Sequence, residues 1–318
     1  MINIRDIISV IEEKAPLALQ EDYDNAGLLT GDPADKVSGV LLTTDVTEEV
    51  VREAIKNKIN LIIAHHPLIF KGLKKVLGNG SYVERTLILA IKNDIAIYAA
   101  HTNLDSVPEG VNKKIADTLD LVNTRILQPA KGLLEKLVVF VPVEHAGRVR
   151  EALFSAGAGN IGEYDSCSYN LHGEGTFRAG DHASPFVGEK GELHRESEER
   201  IETILPSYKR NRIIDALIDS HPYEEPAYDI YSLQNAFQGA GAGMLGEMDK
   251  AVDEEVLIER VKKRFECKGI RYSKLLNKKV KNVALCGGSG ASLLNAAIKA
   301  KADVFLTADF KYHQFFDA

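Results

Sequence analysis

Short apolar runs that each end in polar residues, set apart by helix-length amphipathic stretches, restrict this chain's fold more than any other feature. Gly39–Thr44 (GVLLTT), Asn60–His65 (NLIIAH) and Ile95–Ala100 (IAIYAA) predict strands. Between and around them the apolar period changes to that of helices. Asn3 caps a helix with Ile4, Ile7, Ile8 and Ile11 on one face, and Thr47 caps TEEVVREAIKNK with Glu48 and Glu49 at its positive end. Further helices are predicted over Tyr82–Asn93 and Val111–Leu119. Strands that are apolar along their whole length and alternate with helices predict βαβ units and a largely parallel sheet covered on both faces.

The pattern weakens over Leu121–Leu134 and restarts with strand Lys136–Val143, helix Glu144–Ala156, an irregular glycine-rich stretch to Gly191, helix Asn211–Ser220 and strand Ala227–Ser232. This order predicts a ferredoxin-like βαββαβ insert. QNAFQGAGAGMLGEM reads as a flexible connection, after which α/β alternation resumes: helix Asp253–Phe265, strand Asn282–Cys286, a GGSGAS turn, helix Ser292–Ala300 and strand Asp303–Leu306. The expectation is an α/β protein of two lobes forming one body, residues 1–130 and 236–318, interrupted by an α+β insert at 131–235.

Composition removes several function classes. With 39 Lys+Arg against 46 Asp+Glu the net charge is −7, so a nucleic-acid backbone is not expected as the main partner. Three cysteines without a CxxC pair fit a reducing cytoplasm better than an oxidised secreted framework. Arg5, Asp6, Glu12 and Glu13 break up the N-terminal apolar residues, which argues against a signal peptide. No apolar run approaches the roughly 18 residues of a spanning helix, so no membrane partner is expected.

The strongest chemical signal is Ala64-His65-His66-Pro67 directly after the strand NLIIA. Ligands bind at the carboxyl ends of strands in open α/β sheets, and adjacent imidazoles there can reach two metal ions or two sides of one. Backbone carbonyls could equally satisfy such histidines. The next strand also ends in a polar cluster, His101-Thr102-Asn103-Leu104-Asp105, so neighbouring strands carry His65, His66, His101 and Asp105 to one sheet edge. Imidazole with carboxylate is a ligand set for zinc, manganese or iron(II), and a carboxylate can bridge two ions. Asp105 is the candidate bridge; its other reading is a helix-capping or turn residue. Asp24 and Asn25 in EDYDNAGL could line a pocket, but are also ordinary turn residues, and GGSG reads as a tight turn. His221 in HPYEEP reads as part of a helix-to-strand loop, and Cys167 as a structural cysteine.

EDYDNAGLLTGDP, LIIAHHPLIF, IYAAHTNLD and VALCGGSG…ADVFLTADFKYHQ together resemble the GTP cyclohydrolase 1 type 2 homolog family, the Nif-three-like dinuclear-metal proteins. The resemblance covers about 1–130 and 240–318, and the insert is similar to the PII/CutA-like domain of longer bacterial members. It implies two divalent ions per subunit, zinc first and manganese or iron as alternatives, held by His65, His66 and Asp105, with His101 a further candidate. It also implies a toroidal homohexamer with sites facing the interior. The family's remaining His and Glu ligands come from a GHxxxE-type segment not found before Ala318, so the 318 residues are expected to carry part of the site, and the second lobe reads as truncated; His313 precedes that segment and is not its equivalent. The functional expectation is a metal-dependent hydrolase of a nucleotide or related small molecule. The alternative is a non-enzymatic metal-handling or regulatory scaffold with an effector-sensing PII-like domain.

Overall fold

The computed structural model describes residues 2–317. It divides into two compact units, one made of the residues up to Gln128 with those from Ala240 onward, the other of Pro129–Gly239.

The first unit begins with α1 (Ile4–Lys14), β1 (Gly27–Thr30), β2 (Val40–Thr43), α2 (Glu48–Lys56), β3 (Leu61–Ala64), α3 (Tyr82–Lys92), β4 (Ala96–Ala99), the one-turn α4 (Thr102–Asp105) and α5 (Val111–Thr118). Its first sheet has the order β1-β4-β3-β2. The predicted parallel core is present, with Val40–Thr43 beside Leu61–Ala64 and Leu61–Ala64 beside Ala96–Ala99. Both faces of β3 and β4 are covered, which is why those two strands are apolar along their length, whereas β2 lies at the sheet edge with Val40 and Leu42 exposed. Ile62, Ala64 and Ile97 pack with Val51 and Ala54 of α2 and Leu87 and Ala90 of α3. Leu61, Ala96 and Tyr98 pack with Ile4 and Ile8 of α1 on the opposite face. Each fully buried Leu or Ile contributes roughly 1.5–3 kcal/mol of transfer free energy, so register here is strongly held.

One strand departs from the expectation. β1 runs antiparallel to β4, with Gly27 opposite Ala99 and Leu28 opposite Tyr98, so the sheet is mixed. The segment just before β1 therefore lies where the parallel strands end, and that reversal shapes the site described below.

β5 (Leu121–Ala130) leads into the second unit, whose elements are β6 (Leu134–Pro142), α6 (Ala146–Ala156), β7 (Ser168–Arg178), β8 (Leu193–Pro206), α7 (Arg210–Ser220) and β9 (Tyr228–Ser232). The sheet order β7-β8-β6-β9, antiparallel throughout, is the ferredoxin-like arrangement. Leu137, Val139 and Val141 of β6 and Ile201 and Leu205 of β8 form its core with Val149 and Leu153 of α6 and Ile213 and Leu217 of α7. The stretch that looked irregular before Gly191 contains all of β7. It gives little periodic signal because Leu171, Gly173 and Gly175 leave that strand largely uncovered.

The chain returns through β10 (Phe237–Asp253), α8 (Glu254–Arg264), β11 (Lys279–Cys286), α9 (Leu294–Lys299) and β12 (Val304–Thr307). Two expectations are corrected here. QNAFQGAGAGMLGEM is no flexible connection: it is most of a 17-residue strand in the sheet β12-β11-β10-β5, with Met244–Glu247 paired to Asn282–Leu285. Its glycines serve close packing, since a side chain at Gly246 would come within 3.0 Å of Leu121. The weak pattern at Leu121–Leu134 is likewise β5, a strand of that same sheet.

Candidate metal centre

β2, β3 and β4 run parallel, so their carboxyl ends deliver Asp45, His65–His66 and His101 to one edge of the sheet. Backbone hydrogen bonds continue past the strands and fix the exits: His65 N–H donates to Thr43 O (3.1 Å), His66 N–H to Thr44 O (2.9 Å) and Ala100 N–H to Ala64 O (2.9 Å). The three imidazoles converge, with ring centroids 5.0 Å (His65–His66), 5.2 Å (His65–His101) and 5.6 Å (His66–His101) apart. One ring nitrogen from each lies within 4.8 Å of the other two.

The second nitrogen of every ring is already engaged. His65 Nδ1 donates to Ala100 O at 2.8 Å, His66 Nδ1 contacts Asp45 Oδ1 at 2.8 Å and His101 Nδ1 contacts Asp24 Oδ1 at 2.7 Å. A carbonyl or ionised carboxylate only accepts, so each Nδ1 carries a hydrogen, and the nitrogen a neutral ring would leave open to a metal is Nε2. Metal-ligating histidines are held this way, with the far N–H given to a carboxylate or carbonyl.

Asp24 is anchored most firmly, its side chain fully buried. It accepts from the Thr102 hydroxyl, from Thr102 N–H (3.0 Å) and from Asn25 N–H (2.7 Å), and the Thr102 oxygen accepts from Glu21 N–H (2.9 Å). Burial alone would raise its carboxyl, but the Thr102, His101 and backbone hydrogen bonds outweigh burial and hold it below the usual range. Asp24 therefore stays ionised and keeps the proton of His101 on Nδ1. Replacing Asp24 with Asn is expected to weaken divalent-metal binding about 10–100-fold, the usual cost of losing such a support. Isothermal titration with Zn²⁺ measures this, and unchanged affinity would remove Asp24 from the site.

Asp105 closes α4 beside this cluster. Its Oδ1 is buried without a hydrogen-bond partner among the described residues and lies 3.8 Å from His65 Nε2, too far for a hydrogen bond. Burial pushes its carboxyl up, against the pull of His65 and His101. A buried carboxylate oxygen without a partner is costly unless a cation meets it. Three open imidazole nitrogens beside such an oxygen make a donor set that fits a divalent ion. Asn112, 3% exposed on α5, positions this turn: its Nδ2 donates to Asp105 O (2.9 Å) and its Oδ1 accepts from Gly287 N–H (2.8 Å) after β11.

Of the residues singled out from sequence, His65, His66 and His101 form the cluster and Asp105 stands next to His65. Asp24, open between pocket and turn, holds His101; Asn25 bonds Ile69 O (2.5 Å) and serves the turn. Asp45 and Asn112 escaped sequence reasoning. Asp45 had a signal, its place directly after strand GVLLTT, whereas Asn112 had none. GGSG is a closed turn, its Gly288 carbonyl accepting from the Thr307 hydroxyl (2.8 Å) and from Ala308 and Asp309 N–H (3.1 Å each). His221 is a satisfied buried histidine, its Nε2 on Phe140 O (3.0 Å) and its Nδ1 accepting from Tyr223 N–H (3.0 Å). His313 lies in the 3-10 helix Tyr312–Phe316. Among the described residues no helix is long and apolar enough to cross a membrane.

A protein of Halalkalibacterium halodurans named GTP cyclohydrolase 1 type 2 homolog is 41% identical over 317 residues, spanning 99% of this chain and 85% of the relative. The protein of the same name from Bacillus subtilis is 40% identical over 321 residues, spanning 100% and 85%. The crystal structure of a Bacillus cereus protein related to NIF3 superposes with a TM-score of 0.86 at 43% identity, covering 100% of this chain and 85% of that one. The family description DUF34/NIF3 (NGG1p interacting factor 3) matches residues 2–318, and the chain belongs to that family.

Proposed function

We propose that this protein binds two divalent metal ions, zinc first, and uses them to hydrolyse a nucleotide or related small molecule as a cytoplasmic homohexamer. The observation that carries the reading is the set of three imidazoles with Nδ1 anchored and Nε2 open, beside an Asp105 oxygen that has no partner. His65, His66, His101 and Asp105 would hold the ions. Bound divalent ions would supply Lewis acidity and a lowered water pKa. This chain's own groups do the positioning: Asp24 and Asp45 orient two rings and hold their protons on Nδ1, and Thr102 holds Asp24. The relatives' printed name supports the nucleotide class, because it refers to GTP.

The test is product analysis of the Zn²⁺- or Mn²⁺-loaded protein with GTP and with a panel of nucleotides and phosphoesters. Metal-dependent turnover, abolished by a chelator and by His65→Ala, is the expected result. Absence of formate or a ring-opened product from GTP would sink the cyclohydrolase version. No turnover of any substrate, with metal-dependent capture of a partner instead, would favour the scaffold reading. Exposed apolar side chains on the segment before α3 (Phe70, Val76 and Leu77, 43–51% exposed) support self-association, which sedimentation velocity checks.

A further inference from the structure

The ferredoxin-like unit contains a cavity of about 610 Å³ that shares no residue with the imidazole cluster. Its floor is the sheet face turned away from α6 and α7. Ile201 and Leu205 of β8 pack toward those helices, so Glu198 and Arg200, of opposite parity, face the other way. Phe177, Phe186 and Tyr223 form aromatic walls, with Tyr223 centred 5.9 Å from Phe177 and 6.3 Å from Phe186. The segment between β7 and β8 is tied over one side where Ser184 N–H donates to Glu224 Oε1 (2.7 Å).

Glu198 is the unusual group. It is 9% exposed, yet among the described residues no cation pairs with it; only the Tyr223 hydroxyl donates to its Oε1, at 3.2 Å. Its Oε2 takes no hydrogen bond and lies over Gly175, where a side chain would collide with the carboxylate. Glycine at that position leaves room for the carboxylate. Arg200 pairs with Glu202 through Nη2 (2.8 Å) while its buried Nε has no partner among the described residues, Glu174 pairs with Arg195 (2.5 Å), and Arg178 lines the rim, exposed at the end of β7; neither arginine pairs with Glu198. Burial, with the nearby Glu196 charge, pushes the Glu198 carboxyl up, as befits an acid without a paired cation among the described residues. A buried carboxylate costs free energy unless paired, and aromatic faces beside it attract cations.

We propose that this cavity binds a small organic ammonium ion with an apolar body, the ammonium on Glu198 Oε2 and the Tyr223 ring, the body between Phe177 and Phe186. No such site follows from the imidazole cluster, and the proposal is independent of it.

Isothermal titration of the full chain with benzylammonium, benzyl alcohol and benzoate tests the idea, since the three share a body and differ in charge. Saturable binding of benzylammonium is expected, weakened about tenfold or more by Glu198→Gln, with benzyl alcohol at least about tenfold weaker than the ammonium and benzoate not bound. Phe177→Leu keeps apolar volume while removing a ring face, and is expected to weaken binding about threefold or more. Thermal melts confirm that each variant is folded. Should Glu198→Gln not fold, Phe177→Leu and the three probes still decide. Absence of saturable benzylammonium binding, equal binding of benzyl alcohol, or unchanged affinity in both variants would overturn the proposal.

Discussion

Alanine in place of His101 is expected to lower divalent-metal affinity about a thousandfold, roughly 4 kcal/mol of binding free energy. That exceeds the 10–100-fold expected for a lost support because the substitution removes one of the proposed ligands and strands the carboxylate that held it. The Asp24 side chain is fully buried and loses its His101 N–H donor when the ring is gone, so a lower melting temperature should accompany the lost affinity. His66→Ala should cost less, since the His66 ring is 51% exposed and its partner Asp45 66% exposed, and water can solvate what the substitution leaves. Metal content after dialysis, read by inductively coupled plasma mass spectrometry, and competition with a chromophoric chelator give both numbers. Wild-type content in His101→Ala, or a reversed order of the two variants, would show that the cluster is not a ligand set.

The second large effect lies in the ferredoxin-like unit. Glu135 on β6 has a side chain only 4% exposed, and Arg210 at the start of α7 grips it with two donors, Nε to Oε2 at 2.7 Å and Nη2 to Oε1. Arg210→Met leaves the buried carboxylate without its counter-charge and is expected to destabilise this unit by about 3 kcal/mol, the lower end for a broken buried pair because Arg210 itself is half exposed. The double change Glu135→Leu with Arg210→Met should recover most of that loss, because a buried pair is replaced by apolar contact rather than broken. Urea unfolding followed by hydrogen exchange in β6 and α7 measures both. A single-variant loss below about 1 kcal/mol would mean that water reaches Glu135 and solvates it.

The imidazole cluster was legible to an unusual degree, for a local reason. HHP and HTNLD each follow an apolar run, and parallel strands always present their carboxyl ends at the same edge, so residue order alone brought His65, His66 and His101 together. What holds the rings was less legible. Asp24 precedes a strand in sequence and looked like turn chemistry; only the antiparallel course of β1, with Gly27 opposite Ala99, sets it against His101. Asn112 contacts Gly287, 175 positions away, and no local pattern marks such a pair.

The same contrast separates the strands that could be read from those that could not. NLIIA and IAIYAA declare themselves because both faces are covered and every residue must be apolar. β10 carries glycine at 246 where Leu121 of β5 approaches closely and at 243 where Leu285 O does, and glycine in sequence looks like a linker; pairing with β11, decided by tertiary contact, makes it a strand. By itself, then, the sequence determined the α/β alternation, the ferredoxin-like insert and the edge at which the histidines emerge, since these follow from hydrophobic period and chain order. Tertiary structure alone decided which groups orient those histidines, which glycine-rich segment pairs, and that Glu198 lies buried with no paired cation among the described residues, because hydrogen bonds and burial depend on residues far apart in the chain meeting at fixed distance.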